Sequence, residues 1–500
     1  MKKKLLALTL SASMVMASMA GCGGEPAADP TPTPADKKPT TAPNTPDSNT
    51  PDSDTPTDPT PTDEPEPTYD FGGRTVRIGS YWDMTPDPDG DLFSKAFAER
   101  IKFVEDNYNC NIEFVNVGGD YVGAYVTSVL AGDPVCDVGY ILSYQLLPSL
   151  IEGGIAYPIS DLGVIDFSKP WYQESATNAS TYKGKVYAVG RTGPDVQYGI
   201  FYNKTLFKQY NLPDLYELYD KGEWNWENFK DIAIKGNVDL DGDGEYDIHG
   251  FNQRENFIWS FMASNGADAV KKTDSGVELA LDTPEAKEAL EAYADFMQNV
   301  PHLGGWLGNW EAQIFSFRDG QSMMCYEAWW ITSYLNNEET GMKDEWGFVP
   351  FPLGPSGKEY VSYGKESSPW MMLNGIDKPE EVATIIDLIF QVFEDEEDYE
   401  DAIAANFEAS ASDAKAVEIC LDLMPKVAIS PLMGFEDLNT LLNNEVFSSI
   451  GNGSNTPDSA LEAHKSALDA MMEDIKNHDY SQDLQDTYVN PKEEGEEGAE

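Results

Sequence analysis

An acidic loop in the middle of the chain carries the residue types and spacing of a cation site. Aspartates stand at every second position, at Asp239, Asp241 and Asp243, and Gly244 follows at the sixth position of the loop. Alternating carboxylates with a glycine at the sharp turn are typical of calcium-binding loops. The twelfth position is Gly250 rather than a bidentate glutamate, so the loop is not a full EF-hand.

The sequence allows two interpretations of this loop. Carboxylates this close repel one another unless a cation or a lysine neutralises them, and Asp247 could replace the missing ligand. The alternative is an acidic surface turn. We therefore expect no required cofactor and keep a structural Ca²⁺ as a candidate, with Asp239, Asp241, Asp243, Glu245 and Asp247 as its ligands.

Residues for catalysis are scarce. The chain has 4 His, and it contains no G-x-S-x-G, H-E-x-x-H or phosphate-loop motif. Four widely spaced cysteines, Cys110, Cys136, Cys325 and Cys420, favour buried thiols or up to two disulfides over a zinc site. We predict that the protein is not an enzyme. A glycosidase built on a carboxylate pair is the catalytic alternative, since 87 acidic residues offer many such pairs.

The net charge excludes two classes of partner. The 500 residues carry a formal charge of −54, of which −45 falls on residues 69–490. Nucleic-acid binding needs a basic surface, and docking on anionic lipid needs a polybasic patch. The sequence therefore predicts neither.

The N-terminus indicates export. Three lysines, Lys2 to Lys4, precede an apolar stretch over residues 5–20, as in a secretory signal peptide. The motif Met19-Ala20-Gly21-Cys22 resembles the lipobox of bacterial lipoproteins. That resemblance implies cleavage before Cys22 and lipidation of its thiol by acyl chains such as palmitate, which would hold the protein on the extracellular face of the cell membrane.

A linker follows this expected anchor. Residues 25–68 contain 13 Pro and 11 Thr, and Ala is the only other apolar residue type among them. Such a segment cannot bury a core, so we expect an extended, disordered spacer with an upper reach of about 130 Å. An acidic tail occupies residues 491–500.

The body of the chain alternates strand and helix patterns. Strands are predicted near residues 74–79, 112–117 and 135–142, with helices over 93–108 and 121–131 between them. This order predicts a parallel sheet covered by helices. Later helices begin at Pro284, Pro379 and Pro457, and the remaining length favours two α/β lobes.

The strand ends supply the first candidate binding residues. Ligands of open α/β sheets sit beyond the carboxyl ends of the strands. That rule selects Tyr81, Trp82 and Asp83 after the first strand, and Ser143 and Tyr144 after the third. Aromatic faces pack on the C–H side of pyranose rings, while carboxylates pair with hydroxyl groups.

Seven segments, in order, resemble the extracellular solute-binding proteins of ABC importers, the family-1 group that includes maltose-binding protein. They are the strand ending Ile78-Gly79-Ser80-Tyr81-Trp82 and residues 103–113, 131–140, 151–162, 182–190 with 201–207, 224–229 and 320–330. The resemblance implies a two-lobe periplasmic-binding-protein type II fold with hinge strands and a ligand clamped between the lobes. It places crossovers near residues 186–190, 348–352 and 430.

The expected organisation follows from these parts. It comprises a signal peptide over residues 1–21, the lipidated cysteine and linker over 22–68, lobe 1 over 69–190 plus about 351–430, lobe 2 over about 191–350 plus 431–490, and the tail.

The resemblance adds candidate ligand contacts. Trp330 takes the position of a stacking aromatic in sugar binders, with Trp329 and Glu327 beside it. The remaining candidates lie at a helix start or after the second crossover, and they are Arg254, Asn256, Phe257, Trp259, Glu366 and Trp370.

The implied function is that of a monomeric, lipid-anchored sugar-binding component that delivers its ligand to the permease subunits of an ABC importer. A binder of another small solute, of the peptide or amino-acid type, is the alternative. An anionic sugar is disfavoured by the charge of the body, although Arg191 or Arg254 could serve it locally.

Overall fold

A computed structural model of the chain describes residues 69–253, 257–304 and 309–491. The expected signal peptide, lipidation site, linker and acidic tail lie outside these residues, apart from Pro491 at the start of the tail. No helix of the described part has the length and apolar character needed to cross a membrane.

The strands are β1 Arg74–Ser80, β2 Cys110–Asn116, β3 Val138–Tyr140, β4 Thr181–Tyr182, β5 Lys185–Val186, β6 Ala188–Val189, β7 Tyr198–Asn203, β8 Asn252–Gln253, β9 Val270–Thr273, β10 Gly276–Leu279, β11 Leu303–Gly304, β12 Met324–Ala328, β13 Trp346–Val349, β14 Ser362–Gly364, β15 Trp370–Met372 and β16 Val427–Ile429. The α-helices are α1 Leu92–Tyr108, α2 Tyr121–Leu130, α3 Ser143–Gln145, α4 Glu174–Ala179, α5 Lys204–Gln209, α6 Leu215–Asp220, α7 Trp226–Lys235, α8 Ile258–Ser264, α9 Pro284–Asn299, α10 Ala312–Arg318, α11 Thr332–Leu335, α12 Pro379–Phe390, α13 Glu396–Ser410, α14 Ala414–Leu423, α15 Glu436–Leu441, α16 Ser448–Gly451, α17 Pro457–Asn477 and α18 Tyr480–Leu484. Turns of 3₁₀ or π helix occupy Leu146–Leu150, Ile159–Leu162, Trp329–Ile331, Met424–Lys426, Pro431–Gly434, Leu442–Phe447 and Gln485–Val489.

The first lobe is built on a sheet with the strand order β2-β1-β3-β15-β6. β1 pairs in parallel with β2 and with β3, which confirms the parallel sheet predicted from the alternating strands and helices. β15 runs antiparallel to β3 and to β6. The sheet has a core on each side, formed by the clusters around Val104 and Ile386 and around Tyr125 and Ile141.

Helix α1 illustrates how the sequence determines these elements. Asp91 caps its first turn by accepting a hydrogen bond from the Ser94 amide at 2.7 Å. Phe93, Phe97, Ile101, Val104 and Tyr108 recur at helical spacing and are buried. The helix ends before Asn109, whose φ of 53° lies in the left-handed region.

The second lobe is built on a sheet with the order β11-β8-β12-β7-β14-β16, with β13 also paired to β7. Because β7 is fully buried and pairs antiparallel with β12, β13 and β14, it is the central strand of this lobe. Its core includes Phe201, Trp224, Phe257 and Phe296.

The chain passes between the two sheets at places that differ from the expected boundaries. The first passage, over residues 190–197, lies next to the predicted crossover near 186–190. The second lies over residues 365–369 rather than near 348–352, because β13 and β14 both pair with β7 before the chain returns to the first sheet.

The expected assignment of residues 351–430 to the first lobe also needs correction. Residues 351–364 and 396–430 belong with the second lobe, because α13 and α14 bury Ile403, Phe407 and Cys420 in its core and β16 pairs with β14. The segment α18 returns to the first lobe, where Leu484 packs into the core of that lobe.

A hairpin of the second lobe contacts the first lobe directly. Lys272 on β9 donates hydrogen bonds to the backbone carbonyls of Asn178, Ala179 and Thr181 at 2.5, 3.0 and 2.9 Å. The carbonyls of Asn178 and Ala179 lie at the carboxyl end of α4, where a cation also complements the helix dipole, and that of Thr181 begins β4. Burial lowers the pKa of Lys272 to about 8. The ammonium group of Lys272 therefore connects β9 of the second lobe to the first lobe by hydrogen bonds.

The four cysteines of the described residues are buried thiols and form no disulfide. Burial raises the pKa of Cys110 to about 11 and that of Cys136 to about 12, and it also raises the pKa of Cys420. Of the two alternatives predicted for these cysteines, the structure has the buried thiols.

Candidate functional site

The carboxyl ends of β1 and β3 bring a group of aromatic rings together, which we call the aromatic rim: Tyr81, Trp82, Tyr121 and Tyr140. The ring of Trp82 lies 4.3 Å from that of Tyr81 and 4.6 Å from that of Tyr140, both edge to face. Trp82 is 37% exposed and Tyr81 is 47% exposed. The two side chains therefore present apolar faces to solvent at the edge of the first sheet.

A cavity of about 700 Å³ opens beside this rim. Its walls come from the segment after β1, from the start of α1, from both passages between the sheets and from α13. The lining residues are Trp82, Asp83, Met84, Thr85, Pro86, Asp91, Phe93, Ser94, Phe97, Gln173, Arg191, Thr192, Gly193, Pro194, Asp195, Gln197, Glu366, Ser367, Ser368, Trp370 and Asn406. Cavities of this size bind small molecules, and this one lies where the two lobes meet.

A set of hydrogen bonds orients one carboxylate in the cavity wall. Asp195 accepts hydrogen bonds from the side-chain amides of Gln173 and Gln197. Burial raises the pKa of Asp195, and the hydrogen bonds from Gln197 and Gln173 act in the opposite direction. Because Gln173 precedes α4 and Gln197 precedes β7, this carboxylate fixes the geometry of the first passage between the sheets.

The second passage contributes Glu366 and the two serines that follow it. Burial raises the pKa of Glu366. Ser367 is held by two hydrogen bonds with Ser143, from the Ser143 amide to the Ser367 carbonyl at 2.9 Å and from the Ser367 amide to Ser143 Oγ at 3.1 Å. Ser368 Oγ lies 3.1 Å from the Tyr140 hydroxyl. These bonds attach the segment to the aromatic rim.

The structure brings some of the predicted ligand-binding residues to the cavity. Trp82, Asp83, Glu366 and Trp370 line it, and Tyr81 adjoins it through Trp82. Ser143 is buried and positions Ser367, while half-buried Tyr144 lines a separate groove near α18.

Other predicted residues lie in the interior of the second lobe. Phe257 is fully buried in its core, and Trp259 packs edge to face on Phe447. Glu327 is also fully buried, on β12, and it accepts a hydrogen bond from the Ala328 amide. These three residues therefore pack in the core of the second lobe and do not line the cavity.

The tandem tryptophans split between two environments. Trp329 packs on Phe348 and Phe407 and donates from Nε1 to Ser410 Oγ at 3.3 Å. Trp330 is 41% exposed, with its ring 5.9 Å from that of Trp310. Neither lines the cavity described above. Arg254 and Asn256 lie outside the described residues.

Sequence reasoning missed Gln173, Asp195 and Gln197. The signal available was the segment Gly190-Arg191-Thr192-Gly193-Pro194-Asp195, which places two charged residues directly after an apolar hinge strand. Charged side chains where the chain passes between two lobes face the cleft rather than either core.

The acidic loop adopts a sharp turn held by its own carboxylates. Asp239 accepts hydrogen bonds from the amides of Gly242 and Gly244 at 2.7 and 2.9 Å, and Asp247 accepts one from Leu240 at 2.7 Å. The amides lower the pKa of Asp239. Carboxylate oxygens of Asp239, Asp241 and Asp247 lie within 4.8 Å of one another, while Asp243 and Glu245 stand outside this group.

The chain is similar in fold to proteins of known structure. A search of curated protein sequences finds no match. Among solved structures, the chain is similar to the cyclic α-maltosyl-1,6-maltose binding protein of Arthrobacter globiformis, with 19% identity, a TM-score of 0.58, and coverage of 81% of this chain and 100% of that one. A cyclo/maltodextrin-binding protein complexed with maltotetraose gives 17% identity, a TM-score of 0.56, and coverage of 83% and 100%.

A third similar structure is the GacH receptor of Streptomyces glaucescens GLA.O, with 15% identity, a TM-score of 0.52, and coverage of 80% of this chain and 99% of that one. At these identities the structures establish the fold, and they confirm the predicted two-lobe α/β architecture. The sequence profile of the bacterial extracellular solute-binding proteins matches residues 87–391, about three fifths of the chain. The chain therefore belongs to the bacterial extracellular solute-binding protein family, a family of binding proteins.

Proposed function

We propose that this protein captures a carbohydrate in the cavity between its lobes and delivers it to the permease subunits of an ABC importer. The observation that carries the proposal is the composition of the cavity wall. Trp82 offers an aromatic face for the C–H side of a sugar ring, and Glu366, Ser368 and Gln197 offer hydrogen-bonding groups for hydroxyls. Sugars need both kinds of contact at once.

The comparisons support a carbohydrate as the ligand class. The similar structures are described as binding a cyclic maltosyl-maltose, maltotetraose and acarbose. Membership of the solute-binding family supports capture rather than turnover. The protein acts as a monomer in this proposal, with the permease as its membrane partner.

The proposed location is the outer face of the cell membrane. The leader and lipobox motif at residues 1–22 support export followed by lipidation of Cys22, and the Pro- and Thr-rich residues 25–68 support a long spacer. More than one acyl chain is needed for stable anchoring, because one chain alone binds membranes reversibly.

A thermal-shift screen against neutral and acidic oligosaccharides, combined with analysis of the products, tests the binding function. We expect the unfolding temperature to rise with one class of sugar, because a ligand that binds the folded state stabilises it by mass action. We expect the sugar to be recovered intact. Stabilisation by peptides or amino acids alone would favour the alternative solute class, and release of reducing ends would establish a glycosidase.

A further inference from the structure

Arg191 lines the cavity with an incompletely paired charge. It follows β6 in the first passage between the sheets, and its guanidinium carbon lies 4.3 Å from the centre of the Phe97 ring. Its Nη1 atom is buried and has no hydrogen-bond partner among the residues that the structure describes. Among the described residues, no carboxylate forms an ion pair with it within 4.0 Å.

A second arginine that stacks on an aromatic ring, Arg318, has the carboxylate partner that Arg191 lacks. Arg318 stacks on Phe315 at 4.4 Å, a geometry similar to that of Arg191 on Phe97. However, Arg318 also donates from Nε and Nη2 to the Asp319 carboxylate at 2.7 and 2.9 Å. Of these two stacked arginines, only Arg318 has a carboxylate partner among the described residues.

Burial without a counterion is unfavourable for a guanidinium group. Burial lowers the pKa of Arg191 to about 10, so the side chain still carries its charge at neutral pH. The negative charge of Asp91 opposes this shift from a distance. Stacking on Phe97 compensates only part of the lost hydration, since cation–π contacts are weaker than a charged hydrogen-bonded pair.

Most carboxylates of the cavity already have partners in the protein. Asp195 is held by two glutamine amides, Asp91 caps α1, and Asp83 accepts a hydrogen bond from the Thr85 amide at 3.0 Å. Glu366 lies on the other passage, and its carboxylate accepts no hydrogen bond from the described residues. The guanidinium of Arg191 is thus the charged hydrogen-bond donor in the cavity wall that lacks a carboxylate partner. A ligand could supply that partner.

We propose that Arg191 binds a carboxylate of the ligand, so that the cavity takes an acidic saccharide of the uronic-acid class. This inference rests on the proposed carbohydrate-binding function and narrows its substrate class. An arginine and a carboxylate form two parallel hydrogen bonds, which would use the unpartnered Nη1 and compensate the buried charge. Trp82 then covers the sugar ring, and Glu366 accepts from its hydroxyls.

The charge of the whole protein predicts a kinetic signature of such a ligand. The body repels an anion at long range, and salt screens that repulsion, whereas a buried arginine–carboxylate pair is screened much less. The association rate of an acidic sugar should therefore rise with ionic strength. A neutral sugar should bind at a rate that salt leaves unchanged.

The test compares digalacturonate and an aldobiuronic acid, each with its methyl ester, which keeps the ring and removes the charge. A neutral maltodextrin series serves as the reference. Binding is measured by calorimetry on the full chain, and on variants with Arg191→Met and Arg191→Lys. Arg318→Met is the matched control, because it removes a stacked guanidinium that already has its carboxylate partner.

We expect an acidic disaccharide to bind at least 30-fold more tightly than its ester, and Arg191→Met to abolish that preference. Arg318→Met should keep it. Arg191→Lys should retain part of it, because the charge remains and the two-pronged geometry is lost. The Arg191→Met protein should melt no lower than the wild type, since an unpaired buried charge is removed.

Other outcomes overturn the inference in distinguishable ways. Equal affinity for acid and ester, or binding of maltodextrins alone, would refute the acidic class and leave the carbohydrate function standing. Binding of peptides with no saccharide bound, or no saccharide bound at all, would refute both. A preference for the acid that survives Arg191→Met would assign the carboxylate to another residue.

Discussion

Trp82 and Trp330 are similarly exposed, yet the structure gives them different neighbours. Trp82 lines the cavity between the lobes, whereas Trp330 clusters with Trp310 and Tyr334. Aromatic pairs contribute about 0.5–1.5 kcal/mol beyond general burial, and we expect an aromatic face on a sugar ring to contribute a similar amount. The two residues therefore allow a direct test of which aromatic contacts the ligand.

We predict that Trp82→Ala weakens binding of the cognate saccharide at least tenfold, while Trp330→Ala changes it less than threefold. Calorimetry on both variants measures the effect, and their melting temperatures report whether each is folded. The family resemblance, which places the stacking aromatic at Trp330, makes the opposite prediction. A larger loss from Trp330→Ala would move the ligand toward the second lobe.

At the residue scale, the sequence identified cavity residues where a simple rule applied. Trp82 and Asp83 follow β1 at the carboxyl edge of a parallel sheet, and this position could be read from the strand pattern alone. Glu327 and Phe257 were predicted from motif position, but both are fully buried. A motif fixes the place along a strand or helix without fixing which face the side chain occupies.

At the scale of elements, apolar periodicity predicted several of the long helices and the first strands well, but not α13. The bounds of α1, α9, α12 and α17 lie close to the predicted ones because each has a capping residue or an early proline together with one apolar face. The second passage between the sheets could not be located, because β13 and β14 are short, buried strands of the same kind as those in either lobe.

Calcium binding by the acidic loop remains a prediction, and it concerns a single element. Three carboxylates within 4.8 Å repel one another, so calcium would relieve that repulsion and stabilise the loop. If it binds, millimolar Ca²⁺ should raise the free energy of unfolding by about 3 kcal/mol at a hundredfold excess over Kd, and Asp239→Asn should cancel the effect. Asp274→Asn, in another exposed turn, is the control. A melting temperature that calcium leaves unchanged would identify an acidic surface turn.

The contact of the β9–β10 hairpin with the first lobe leads to a second prediction, which concerns stability. Lys272→Met should lower the free energy of unfolding by about 1–3 kcal/mol, because three backbone carbonyls between the end of α4 and the start of β4 lose their donor. Lys271→Met is the matched control on the same strand. Lys271 is exposed and pairs with Glu278, so its loss should cost less than about 1 kcal/mol. Urea unfolding of both variants measures the difference, and equal values would contradict the inter-lobe role of Lys272.

At the scale of the whole molecule, two sheets with separate cores share one chain that passes repeatedly between them. The cavity lies at two of these passages, so residues 190–197 and 365–369 both shape the cavity and connect the lobes. A ligand that contacts both lobes favours the arrangement in which they are close. This architecture could be predicted from the sequence, as could Arg191 and Glu366 at the two passages, whereas Asp195 and Gln197 could not.

The proposed anchor is also a property of the whole molecule. We predict that Cys22→Ser moves the protein from the detergent phase to the aqueous phase in a detergent-partition experiment on expressing bacteria. Ser13→Ala, which leaves the lipobox residues intact, should leave the partition unchanged. Detergent-phase protein with Cys22→Ser would show that the chain is held by something other than this thiol.

The buried cysteines make the protein suited to site-specific labelling. Burial shields the thiols of Cys110, Cys136, Cys325 and Cys420, and the raised pKa values of three of them leave almost no thiolate to react. In a Cys22→Ser background, a single cysteine introduced at exposed Asp83 would therefore be the one reactive position among the described residues. A fluorophore attached there would lie at the mouth of the cavity, and its emission would report occupancy. The fold thus supplies the framework of a reagentless optical sensor for the solute it binds.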